Sequence, residues 1–176
     1  MCIRDRYYID CVWGTMLIWA HGLWGSPNGS KITAIRESGI EVVSPDFNNM
    51  ELDERIRILN ELVSKQKVIL AGSSYGGLAC ALVAQQYPKQ IKGMLLLAPA
   101  LHLPESPNDD PEKLIAPNDF PITIIHSVTD EIVPISASKD YIKRSGDNIK
   151  LIEVKDNHVL ENSIELIISE AKILLI

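Results

Sequence analysis

The sequence predicts an α/β fold in three layers: a mostly parallel sheet of about six strands, covered by helices on both faces. Three observations carry this. Short, almost wholly apolar runs recur along the chain, as expected of strands buried on both sides. Segments with apolar residues at helical spacing alternate with them. No internal repeat or interdomain linker breaks the rhythm, and 176 residues suit one domain with a substantial core. Crossovers between such parallel strands are expected to be right-handed.

Residues 1–15 show neither strand alternation nor a helix period, and are expected to be a non-native or poorly ordered leader, with Met16 opening a single domain over residues 16–176. The run Met16-Leu17-Ile18-Trp19-Ala20 is the first strand. Residues 41–44, 67–71, 93–98, 121–126 and 150–154 supply five more. A helix over residues 30–38 puts Ile32 and Ile35 on one side and stops at Gly39. Residues 51–64 carry Ile56, Leu59, Leu62 and Val63 at helical spacing, with Glu51, Asp53 and Glu54 at the dipole-favoured N-terminal end. Residues 75–87 form a third helix ending before Pro88. A shorter helix covers residues 135–144, and the last, over 160–175, gathers Ile164, Ile167, Ile168 and Ala171 on one face. Between the fourth and fifth strands, residues 101–120 are an excursion rich in proline and aspartate, with a helical turn near residues 112–114. Unstructured connections of that length are often functional.

Composition narrows the function. Seventeen Lys and Arg against 23 Asp and Glu give a net charge of −6 with no basic block. That balance argues against nucleic acid and against an anionic membrane surface as partners. No run approaches the roughly 20 apolar residues needed to cross a bilayer, and residues 1–6 lack the order of a signal peptide. Cys2, Cys11 and Cys80 form no CxxC pair and lie near no histidine. Reduced thiols in a cytoplasmic protein are expected, with no disulfide framework and no zinc.

The chemistry centres on Gly72-Ser73-Ser74-Tyr75-Gly76-Gly77, which joins an apolar strand to a helix. A G-x-S-x-G turn in that context is strained, and its glycines leave room where a Cβ would strike neighbouring backbone. Ser74 is thereby lifted above the sheet edge at a helix N-terminus, which favours negative charge. Ser73 is the rival nucleophile, one position early. A structural Gly/Ser turn is the bland alternative. A serine needs a base, and the base an orienting acid. Of His21, His102, His126 and His158, the last is favoured as base, because its loop follows the sixth strand and opens at the same sheet edge as Ser74. An exposed loop histidine is the alternative. Asp130, in the loop after the fifth strand, is favoured as acid over Glu131 and Asp156, a helix cap being its plain reading. The oxyanion would be held by backbone N–H groups of Tyr75 and Leu23, the latter ahead of Trp24 in the loop His21-Gly22-Leu23-Trp24-Gly25. His21 itself reads as structural. Trp24, Leu101 and His102 are candidates for a substrate pocket, with Met50, Tyr75 and Leu103 beside them; ordinary packing competes at each.

The segments Ile18-Trp-Ala-His-Gly-Leu-Trp-Gly-Ser-Pro27, Ser44-Pro-Asp-Phe47, Gly72 to Gly77, Leu95-Leu-Leu-Ala-Pro-Ala100, Asp130…Val133-Pro134 and Asp156-Asn-His158 resemble a small, minimal α/β-hydrolase, most of all the YqiA-like group of small serine esterases. The resemblance spans residues 16–176. It implies the α/β-hydrolase fold and a cofactor-free Ser-Asp-His hydrolase of acyl esters or thioesters, met in the chain order Ser74, Asp130, His158. Two departures stand out: Ser127 occupies a position where many relatives have glycine, and there is little room before Met16 for the extra antiparallel strands of the full fold. The excursion is too short for a large lid, which favours small or flexible acyl groups, and the negative charge disfavours a polyanionic substrate such as acyl-CoA. A non-catalytic partner-binding module and an acyltransferase are the rival classes.

Overall fold

A computed structural model describes residues 14–176 of the chain. The expected leader therefore lies almost wholly outside the described residues, as do Cys2 and Cys11. Six strands form one sheet: β1 (Met16–Ala20), β2 (Val42–Val43), β3 (Val68–Ser73), β4 (Ile91–Leu97), β5 (Ile122–Ser127) and β6 (Ile149–Val154). Their order is β2-β1-β3-β4-β5-β6, and every pairing is parallel. The five helices are α1 (Ser30–Glu37), α2 (Leu52–Val63), α3 (Tyr75–Gln86), α4 (Ser136–Arg144) and α5 (Ile164–Leu175).

Alternation along each strand divides the core in two. Ile18, Leu70, Met94, Leu96, Ile122 and Ile124 face α2, α3 and α4, where they meet Leu59, Leu78, Val83 and Tyr141. Leu17, Trp19, Ile69, Leu95, Leu97 and Ile125 face α1 and α5, against Ile32, Ile35, Ile167 and Leu174. The central strands carry apolar side chains to both layers, so their sequence shows a continuous apolar run and no polar alternation. α2 starts at a capping box: the Glu54 carboxylate accepts from the Glu51 N–H at 3.0 Å.

The structure departs from the sequence expectation in detail. β2 is only two residues long, an edge strand where the four-residue run 41–44 was expected. α5 begins at Ile164, four residues late. Leu160 has φ of 55°, and the Asp156 carboxylate draws residues 162 and 163 into a turn. The 101–120 excursion contains the short helical turn Pro111–Lys113 and is pinned to the body of the domain. Gln85 accepts from the Ile115 N–H at 2.8 Å, and Asn148 donates to the carbonyls of Pro117 and Phe120 at 2.7 Å each.

The strand order reverses between β1 and β3, because β1 leads to β2 on one side and β3 sits on the other. Ligands of open parallel sheets bind beyond the C-terminal ends of the strands at such a reversal. The residues following β1 and β3 are the loop at 21–27 and Ser74.

Candidate active site

Ser74 adopts φ 53° and ψ −117°, a region that costs a side-chain-bearing residue of order 1–3 kcal/mol. Its surroundings enforce it. The Ser74 N–H donates to the Leu97 carbonyl at 2.9 Å, and its carbonyl accepts from Leu78 and Ala100 at 3.1 and 3.0 Å. The flanking glycines are steric requirements. A Cβ on Gly72 would lie 2.6 Å from the Gly76 carbonyl oxygen, and one on Gly76 would lie 2.6 Å from the His21 carbonyl oxygen. The turn thus folds tightly on itself and against the end of β1, with the serine at its apex.

The structure brings Ser74, His158 and Asp130 into one hydrogen-bonded chain. His158 Nε2 lies 3.1 Å from Ser74 Oγ, and His158 Nδ1 lies 2.7 Å from Asp130 Oδ2. A carboxylate oxygen only accepts, so Nδ1 carries the proton and Nε2 offers its lone pair to the Ser74 hydroxyl. The Asp130 side chain is fully buried, and its Oδ1 accepts from the N–H groups of Ile132 and Val133 at 2.9 Å each. Burial pushes the Asp130 carboxyl up. The bonds from His158, Val133 and Ile132 outweigh that and leave it below its ordinary value, hence ionised. Glu131 is exposed.

Asp156, the other rival acid, braces the loop carrying His158. It accepts from the Asn157 N–H, from Asn162 and from the Ser163 hydroxyl. Ser127, the departure at the usual glycine position, has a role in the same brace. Its hydroxyl donates to the Asp156 carbonyl at 2.5 Å and accepts from the Asp156 N–H at 3.1 Å, tying the end of β5 to the His158 loop. Lys31 donates to the Val159 carbonyl at 2.7 Å from the other side.

The loop after β1 lies against the serine: a Cβ on Gly22 would sit 3.4 Å from that of Ser74. Among the described residues, neither the Leu23 nor the Tyr75 N–H has a hydrogen-bond acceptor. His21 is buried behind this loop, its Nδ1 donating to the Gly22 carbonyl at 2.8 Å and its Nε2 accepting from the Phe47 N–H at 2.9 Å. That bonding fixes it neutral and structural.

Arg55, which sequence reasoning passed over, is 1% exposed. It donates to the carbonyls of His21 at 2.8 Å and of Met50 and Phe47 at 3.0 Å, and its guanidinium stacks over the rings of Phe47 and Tyr75. The Tyr75 hydroxyl in turn donates to Glu105 at 2.5 Å. These contacts hold the β1 loop, α2, the serine turn and the excursion together.

A cavity of about 470 Å³ opens beside Ser74 and His158, its wall formed by Trp19, Leu23, Trp24, Ile32, Tyr75, His102, Leu103, Ile132, Val133 and Val159 among others. Trp24 and His102 lie on this wall. Leu101 does not: it is fully buried in the core on the α3 side, because the chain after β4 turns inward before it reaches His102. Met50 likewise packs on that core, its carbonyl accepting from Arg55. Ile132 and Val159, which complete the wall, went unnoticed because the loops that bring them there are set by Asp130 and Asp156 and by no local pattern.

The family model for the alpha/beta hydrolase fold matches residues 24–120, more than half of the chain. The chain belongs to the α/β-hydrolase fold family. Solved structures agree. A protein described as a hydrolase of the alpha/beta superfamily from Xanthomonas campestris pv. campestris is 25% identical, with a TM-score of 0.74 over 91% of this chain and 98% of that one. Est1E from Butyrivibrio proteoclasticus shares the fold at 23% identity and TM-score 0.72, over 90% of this chain and 86% of that one. So does the monoacylglycerol lipase of Paleococcus ferrophilus, at 17% identity and TM-score 0.67, over 89% and 96%. Comparison with curated protein sequences finds no match. The protein is an α/β hydrolase whose described sheet is wholly parallel. Among the described residues no helix is long and apolar enough to cross a membrane, and no cluster of three or more His, Cys, Asp and Glu side chains could hold a metal ion.

Two buried histidines are expected to make this α/β hydrolase sensitive to mild acid. Burial lowers the pKa of His21, which faces Asp46 and Arg55, and of His126, which faces Asp130 and His158. Each is neutral when folded and takes a proton more readily when unfolded. Their stabilisation is complete above pH 6.5 and is lost as pH falls from there through their lowered folded values. Thermal melts should therefore show Tm falling as the pH drops below 6.5, before most carboxylates titrate. A flat Tm there would contradict the assignment of both rings as neutral.

Proposed function

We propose that the protein is a cytoplasmic, cofactor-free serine esterase or thioesterase of the YqiA-like kind, acting on small-molecule acyl substrates. The observation that carries the reading is the continuous chain from Asp130 Oδ2 through His158 to Ser74 Oγ, with steps of 2.7 and 3.1 Å. His158 Nε2 takes the Ser74 proton as Oγ attacks the carbonyl carbon. The N–H groups of Leu23 and Tyr75 receive the oxyanion, helped by the N-terminus of α3. Asp130, ionised and immobile, stabilises the imidazolium. His158 then passes its proton to the leaving alcohol or thiol, leaving Ser74 acylated. Water, deprotonated by His158, attacks the acyl-enzyme and releases the acid and the free serine.

The cavity supports an apolar acyl or alcohol portion. Leu23, Trp24, Ile132 and Val159 are all substantially exposed at its mouth, Trp24 at 88%. They come from three loops, those after β1, β5 and β6, so a chain leaving the cavity would meet apolar surface. Trp24→Ser should lower kcat/KM for octanoyl esters by about 5-fold, the loss of roughly 1 kcal/mol of apolar contact, and leave acetyl esters nearly unchanged. An equal loss on both would place Trp24 outside the substrate path. A panel of p-nitrophenyl esters and simple acyl thioesters tests the reading as a whole. Hydrolysis of at least one class, to free acid, is expected. Exclusive transfer of the acyl group to added alcohol would reassign the protein as an acyltransferase, and inertness toward the whole panel would remove the esterase reading.

A further inference from the structure

Asp130 touches a second histidine. His126, at the end of β5 and fully buried, places Nε2 3.4 Å from Asp130 Oδ2, the same oxygen that His158 holds. That Nε2 also lies 2.9 Å from the Val133 carbonyl. A carbonyl only accepts, so Nε2 carries a proton. The other ring nitrogen, Nδ1, lies 2.7 Å from the hydroxyl of Ser138, itself fully buried in the first turn of α4. In a neutral ring Nδ1 must then accept, and Ser138 must donate.

We propose that Ser138 and His126 are a positioning pair for Asp130: Ser138 fixes the Nε2–H tautomer of His126, and that tautomer holds the carboxylate in the orientation His158 needs. The inference rests on the reading of Ser74, His158 and Asp130 given above. His126 governs both oxygens of the carboxylate. It presents the positive end of an N–H to Oδ2. It also anchors the carbonyl of Val133, the residue whose N–H, on the preceding peptide, donates to Oδ1. The opposite tautomer would turn a lone pair toward the Val133 carbonyl and toward Oδ2 at once. Repulsion would shift Val133, weaken the bond from its N–H to Oδ1 and loosen the carboxylate against His158. Neither Ser138 nor His126 is among the cavity-lining residues, so the pair acts through the groups it holds, Asp130 and Val133.

The test combines a spectrum and a kinetic split. In the wild-type protein at pH 7.5, the ¹⁵N shifts of His126 should report protonated Nε2 and bare Nδ1. Ser138→Ala should yield a mixture of tautomers and lower kcat by about 10-fold with KM unchanged, and Ser138→Thr, which keeps the hydroxyl, should restore both. Wild-type His126 protonated at Nδ1 would overturn the proposal. So would a Ser138→Ala protein that keeps full kcat or loses only Tm. The tautomer spectrum needs no turnover, so it decides the pair even if the wild-type enzyme hydrolyses none of the esters offered, a result that would instead sink the esterase reading.

Discussion

Replacing Ser74 by Ala is expected to lower turnover of a short acyl ester by roughly 10⁴- to 10⁶-fold, with the fold intact. Under the proposed mechanism the size follows from the removal of the attacking oxygen. Water in its place lacks the oxygen held 3.1 Å from His158 Nε2 at the apex of the turn. A second substitution separates chemistry from architecture. Ser74 sits at φ 53°, where glycine is at ease and serine is not. Ser74→Gly should be as inactive as the alanine variant, yet raise stability by about 1 kcal/mol in urea melts. On the proposed mechanism, the strain at Ser74 is then read directly as stability exchanged for a raised nucleophile. Equal stability of the glycine and alanine variants would show that the backbone here stores no strain.

The largest effect on stability is expected at Arg55. Arg55→Met keeps helix propensity and most of the side-chain volume but deletes every donor. The carbonyls of His21, Phe47 and Met50 would lose this donor together, and of the three Phe47 would keep another, the Met50 N–H at 3.2 Å. The cost should be about 3–5 kcal/mol, a large part of the about 5–15 kcal/mol typical of a domain. Because the His21 carbonyl borders Gly76 and the Arg55 guanidinium covers Tyr75, the turn that carries Ser74 should loosen with it. Activity should fall at temperatures well below the new Tm. A Tm within about 2 °C of wild type would mean that water replaces the guanidinium and that the contact is not structural.

These two residues mark how far the sequence could be read. Strands buried on both faces announce themselves as apolar runs, so the sheet, its helices and the edge where their loops converge were legible. Ser74, His158 and Asp130 were legible for a chemical reason: nucleophile, base and acid types occur at the ends of the third, sixth and fifth strands, which parallel packing brings to one edge. Arg55 was not, since an arginine on an amphipathic helix reads as exposed until the carbonyls of the β1 loop and of the segment before its own helix are seen around it. Ser127 read as an anomaly at a glycine position, and only the fold shows its hydroxyl bridging two loops. Asp156 was weighed as an acid and dismissed for its nearness to His158. That nearness makes it the brace of the loop. Leu101 and Met50 were placed in the pocket because periodicity does not tell which way a loop side chain turns.

Labelling with a fluorophosphonate, followed by peptide mass spectrometry, tests the central claim most directly. An activated serine should be modified stoichiometrically at Ser74, at a rate that falls when His158 is replaced by Ala, and the Ser74→Ala protein should take up no label. No modification of the folded wild-type protein, or modification at Ser73 in its place, would contradict the account.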